Sequence, residues 1–159
     1  MAKTDSSKSI KEMKRVELLI PAGSLEVLRV AVDYGADAVY IGGEHFGLRA
    51  KAHNFTLDEM REGAEYCHAH GVKLHVTVNI FAHNDDLPGI REYFAQLKAI
   101  PIDALIISDP AVFMLAKEIL PGVERHISTQ ANNTNYGVYQ FWYQLGAKRV
   151  VSARELSLS

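Results

Sequence analysis

The sequence predicts an α/β fold, a parallel (β/α) barrel of the TIM type truncated to about six strands. Three observations carry that prediction. Short apolar runs recur roughly every 20 to 35 residues, each followed by a stretch at helical spacing. The opening unit, Val16 to Gly43, reads as strand, turn, helix, turn and strand, which requires a right-handed parallel crossover. Finally, the third and fifth apolar runs carry polar stripes, His75/Thr77/Asn79 and His126/Ser128/Gln130. An open doubly wound sheet, buried on both faces, favours continuous apolar strands. A barrel interior that opens toward a site accommodates such stripes.

Each element follows from local chemistry. Val16–Ile20 is the first strand, stopped by Pro21-Ala22-Gly23 because proline has no amide for a ladder. Ser24 stands at an N-cap, Leu25, Leu28 and Val32 share a helical face, and Gly35 ends the helix. Ala38–Ile41 is the second strand, closed by Gly42-Gly43. Thr56 and Glu59 form a capping-box pattern for a helix that runs to His70. Lys73–Asn79 is the third strand, with Leu74, Val76 and Val78 on one face and His75, Thr77 and Asn79 on the other.

A helix over about 85–99 tolerates Pro88 in its first turn. Ala104–Ser108 is the fourth strand, and Asp109-Pro110 caps and opens a helix to Leu120. Glu124–Gln130 is the fifth strand, about 134–145 the next helix, and Lys148–Ala153 the sixth strand. Residues 1–15 read as a flexible polar tail and 16–159 as the N-terminal part of an eight-stranded barrel.

At 159 residues and 48% apolar content the chain can bury one substantial core. Its net charge of -2 gives no general electrostatic surface for nucleic acid, although a local basic cleft escapes a whole-chain sum. One cysteine, Cys67, excludes an internal disulfide and a cysteine-built metal site within one chain, and suits a reducing cytoplasm. No apolar run approaches the roughly 20 residues of a membrane span.

Barrel sites form at the carboxyl ends of strands. Those ends here are Ala22-Gly23-Ser24, Gly42-Gly43-Glu44, Asn79-Ile80-Phe81 with His83, Ser108-Asp109, Ser128-Thr129-Gln130 and Arg154-Glu155. The long Glu44–Phe55 connection suits binding, with Arg49, His53 and Asn54 able to hold an anionic or planar ligand. The triplet Ala-His-Asn recurs at 52–54 and 82–84, and both copies are expected on one rim. The substrate-binding candidates are therefore Arg49, His53, Asn54, Asn79, His83, Gln130 and Arg154, with no catalytic residue and no metal ligand assigned. Blander roles compete with binding elsewhere: Ser24, Thr56 and Asp109 as caps, His68 and His70 at a helix end, and His75 and His126 as hydrogen-bonded interior groups. Cys67 reads as a small core hydrophobe, and Tyr136, Tyr139, Trp142 and Tyr143 as packing or interface residues. No nucleophile elbow, H-E-x-x-H motif or phosphate-binding loop is present.

Taken together, ELLIPAGSLEVLRVAVDYGADAVYIGG, FGLRAKAHNFTLDEM, VTVNIFAHN, STQ and RVVSARELSLS resemble the peptidase U32 family, the collagenase-like peptidases, from about Glu17 onward. The resemblance implies a barrel enzyme of which this chain is the N-terminal part. The family name implies proteolysis, yet members resembling this sequence are linked to hydroxylation of RNA bases. The wobble uridine of bacterial tRNA is among them, with prephenate as co-substrate. Related members hydroxylate the ubiquinone ring without oxygen and carry an iron–sulfur cluster. The family's cluster cysteines lie beyond the ARELSLS-like stretch, so none maps onto residues 1–159, and Cys67 matches none. The resemblance thus implies a tRNA or peptide substrate for the full-length protein, with an iron–sulfur cluster bound through cysteines beyond residue 159. An inactive structural half-domain is the third reading. Unpaired sheet edges of a six-stranded piece are expected to drive homo-oligomer formation.

Overall fold

The computed structural model describes residues 16–47 and 54–157. Six strands and five helices alternate: β1 (Leu19–Pro21), α1 (Leu25–Asp33), β2 (Ala38–Gly42), α2 (Leu57–Ala69), β3 (Lys73–Val78), α3 (Leu87–Leu97), β4 (Ala104–Ile107), α4 (Pro110–Ile119), β5 (Glu124–Ile127), α5 (Tyr136–Leu145) and β6 (Arg149–Val150). The strands form one parallel sheet in the order β1-β2-β3-β4-β5-β6. A doubly wound sheet must reverse its strand order at a switch point, and this one never does. Among the described residues the sheet curls into a TIM-type half-barrel, with no strand between β1 and β6.

The period of two sorts the strand residues cleanly. Ile20, Val39, Ile41, Leu74, Val76, Val78, Leu105, Ile107, Ile127 and Val150 pack outward against helices. Leu28 of α1, Met60 of α2, Phe94 of α3 and Phe113 of α4 complete that layer and are fully buried. Truncating one of these large side chains to alanine is expected to cost about 2–5 kcal/mol. On the inner face, Tyr40, Thr77 and Ser128 line a central cleft, and the His75 and His126 rings meet edge to face with centroids 4.9 Å apart. Two rings from non-adjacent strands touch only if both point into the curve.

The helix starts follow the sequence. The Ser24, Asp109 and Asn135 side chains accept from first-turn amides of α1, α4 and α5. Thr56 and Glu59 complete a reciprocal capping box at α2, with Oγ1 accepting from the Glu59 amide at 3.2 Å and Oε2 accepting from the Thr56 amide at 2.8 Å. Thr56→Ala is expected to cost about 1 kcal/mol, measured as a lowered urea midpoint with unchanged slope.

Several boundaries differ from the sequence expectation. Pro21 belongs to β1 and pairs with Tyr40, because its missing amide sits on the strand's unpaired side. β5 stops at Ile127, not Gln130: Ser128 caps a short 3-10 turn, Thr129–Ala131, and Asn132 follows in the left-handed region at φ 56°. β3 ends at Val78, one residue before Asn79, and β6 is only Arg149–Val150. α3 begins at Leu87, where the Asp86 carboxylate accepts the His83 amide at 2.8 Å and makes no side-chain cap. α5 begins at Tyr136 because Asn135 supplies the cap.

Candidate functional site

The carboxyl ends of the strands surround a cleft of about 360 Å³. Its floor is apolar, from Leu19, Tyr40, Ile106 and Val151, and its rim carries Asn54, Asn79, Gln130 and Arg154. Gly42 and Gly47 bring main chain directly to the wall. A side chain at Gly42 would press on Asn54 Oδ1 at 3.3 Å, so glycine is what lets that amide lie against the strand. The β2–α2 connection is pinned at its base: Phe55, buried, bridges to Gly43, and its amide donates to the Gly42 carbonyl at 2.9 Å. That closure carries Asn54 to the cleft.

Four of the seven residues singled out from the sequence, Asn54, Asn79, Gln130 and Arg154, line this one cleft. Arg49 and His53 lie outside the described residues. His83 is not brought in: it is exposed, absent from the lining, and fixed by the Asp86 turn. The two Ala-His-Asn triplets therefore do not act alike at their third residue, since Asn54 lines the cleft while Asn84 is exposed and outside it.

Among the described residues the lining holds no carboxylate and a single cation, Arg154. Its Thr77 hydroxyl donates to the Ile41 carbonyl at 3.1 Å, and Ser128 Oγ accepts from the Gln130 amide at 3.3 Å. The Thr77 and Ser128 oxygens thus both contact backbone, and Thr129 and Tyr40 carry the other hydroxyls of the lining. Cys67 is fully buried on α2, and burial pushes its thiol up to about 11, so it stays protonated and unreactive at neutral pH.

Beneath the cleft, toward the amino ends of the strands, the interior is charged. The Arg149 guanidinium of β6 reaches across the lumen and donates twice to the Glu17 carboxylate ahead of β1, at 2.6 and 2.9 Å. That pair holds the Glu17 carboxyl below its ordinary range. His126 Nε2 and Glu124 Oε2 lie 2.9 Å apart, and this bond lowers the Glu124 carboxyl. His75 is 1% exposed, and its Nδ1 has no hydrogen-bond partner. Burial first, then the neighbouring His126 and Arg149, push the His75 imidazole down to about 4. Burial also lowers His126, partly offset by its bond to Glu124. Both rings are neutral at pH 7.

Sequence reasoning missed the Glu17–Arg149 pair and Asn133. The only signal for the first was parity, since Glu17 shares the inner face with Leu19 and Pro21. Asn133 is fully buried, and its amide nitrogen donates to the Ser128 and Val151 carbonyls at 2.8 Å each, tying the ends of β5 and β6. Nothing in an Asn-rich turn announces that role.

The sequence profile of peptidase family U32 matches residues 23–159. The chain belongs to peptidase family U32. This U32 chain is 46% identical over 144 residues to tRNA hydroxylation protein P1 of Bacillus subtilis, covering 91% of the chain and 34% of that protein. It is 41% identical over 143 residues to a collagenase of Porphyromonas gingivalis, covering 89% of the chain and 34% of that protein. It thus spans about a third of the length of these relatives. Superposition on a solved U32 peptidase gives a TM-score of 0.70 at 16% identity, covering 95% of this chain and 64% of that one. The half-barrel is shared with that structure, and the cleft lies at the strand carboxyl ends, where barrel sites form.

Proposed function

We propose that this U32 chain supplies the substrate-holding part of a larger enzyme that hydroxylates a uridine base in tRNA. The observation that carries the reading is the amide-rich cleft without carboxylates at the strand carboxyl ends, in a chain 46% identical to a tRNA hydroxylation protein. Asn and Gln amides each offer a donor beside an acceptor, which suits the alternating acceptor, donor and acceptor of a uracil edge. Arg154 suits the phosphate. The bound hydroxyls of Thr77 and Ser128 and the buried thiol of Cys67 support this reading over proteolysis through these residues.

The iron–sulfur cluster that the family resemblance implies does not fit the described residues. Among them no three His, Cys, Asp or Glu side chains converge on a metal position, and Cys67 is walled into the core. Its cysteines belong elsewhere in the larger protein. A tRNA substrate places the reaction in the cytoplasm, and no described helix is long and apolar enough to cross a membrane. The open edges of β1 and β6 belong to the same proposal: they pair with further strands, of one barrel or of a second copy.

The test uses the full-length protein in a strain lacking the native gene. Gln130→Ala and Arg154→Ala, both exposed positions, are expected to lower the hydroxylated uridine in digested tRNA about tenfold or more with an unchanged unfolding midpoint. Unchanged nucleoside levels would remove the cleft from the reaction. Loss of gelatin cleavage in the same variants, with tRNA unaffected, would establish the collagenase reading instead.

A further inference from the structure

The loop after β3 presents an aromatic ring in an unusual way. Ile80 and Ala82 both pack against the hydrophobic core, and the Asp86 carboxylate holds the His83 amide at 2.8 Å. Phe81, between two anchored neighbours, is forced outward and stands 61% exposed. Among the described residues it is the one Phe, Tyr or Trp more than half exposed in a loop at the cleft end of the barrel. The other exposed aromatics, Tyr34, Tyr136, Phe141 and Tyr143, lie on or beside the outer helices α1 and α5. Asn79, two residues before Phe81, lines the cleft. Two residues span at most about 7 Å of backbone, a distance that one nucleotide bridges.

We infer that Phe81 is a stacking platform for the unpaired nucleobase next to the one held in the cleft. The inference rests on the tRNA reading proposed above and adds a second point of RNA contact. An aromatic face takes any base, because each has a π-face, and it serves single strands whose bases are free to splay. Exposing a ring costs apolar hydration, and a loop anchored on both sides keeps it from turning inward.

The experiment measures binding of a fluorescent seven-base-loop RNA hairpin, and of uridine monophosphate, to the full-length protein and its Phe81→Ala and Phe81→Trp variants. Phe81→Ala is expected to weaken hairpin binding about tenfold while leaving uridine monophosphate binding and the unfolding midpoint unchanged. Phe81→Trp should retain hairpin affinity, with its fluorescence quenched on binding. Equal hairpin affinity of wild type and Phe81→Ala overturns the stacking role and leaves the cleft reading standing. Failure of the wild type to bind the hairpin overturns both. Weakened binding of a proline-rich peptide, with the hairpin unaffected, assigns the ring to a protein partner and overturns the inference.

Discussion

Gly43→Ala is expected to destabilise the protein by about 2–3 kcal/mol, the upper part of the range for forcing a methyl group into a packed core. A Cβ at this position would lie 2.2 Å from the Tyr93 hydroxyl oxygen and 2.8 Å from the Met60 methyl. The Met60 end can swing aside. Tyr93 cannot, because it is 5% exposed, and its ring is fixed between Phe46 and Phe94. The second half of the prediction isolates the cause. Tyr93→Phe deletes the clashing oxygen, leaving the ring carbon at 3.1 Å, so Gly43→Ala should cost less in that background than in the wild type. Equal costs in the two backgrounds, measured by urea unfolding, would show that the clash lies elsewhere.

The charged interior beneath the cleft predicts a steep acid dependence of stability. An imidazole whose folded value lies below its unfolded one contributes fully above the unfolded value and loses that contribution as pH falls. For His75 the window runs from 6.5 down to about 4, and the loss across it is on the order of 3 kcal/mol. His126 is lowered too and acts in the same direction. Glu17 and Glu124, held below their ordinary 4.5, extend the loss to lower pH as their carboxylates protonate. The urea midpoint should therefore fall continuously from pH 7 to pH 4. His75→Gln, which cannot titrate, should flatten the upper part of that slope. Parallel slopes for wild type and variant would show that His75 is not the group responsible.

The fold was legible because its signals are local. Caps at Ser24, Thr56 and Asp109, stops at Gly35 and Gly71, and alternation along Leu74–Val78 each involve residues within a few positions of one another. The cleft was legible in part for the same reason. A parallel sheet delivers all strand carboxyl ends to one side, so the grouping of Asn54, Asn79, Gln130 and Arg154 follows from the order of the elements alone. His83 fails that logic because a short turn to Asp86 redirects the chain after β3. The Glu17–Arg149 contact joins residues 132 positions apart, and no periodicity reports a side chain reaching across a lumen. Strand ends were the least legible, because Ser128 can continue a strand or cap a turn and only the tertiary context decides.

Pro21 has a consequence for the open edge of β1. In a parallel ladder alternate residues bond to opposite neighbours. The Ala22 amide donates to the Tyr40 carbonyl, and the Leu18 carbonyl accepts from the Ala38 amide. The backbone groups of the even-numbered residues thus face β2, and those of Leu19 and Pro21 face the edge of the sheet away from it. An arriving strand finds an amide at Leu19 and none at Pro21, so in any register the carbonyl that falls opposite Pro21 is left without a donor. The proline acts as a buffer stop, shortening the ladder that an added strand can form along this edge and penalising one that runs past it.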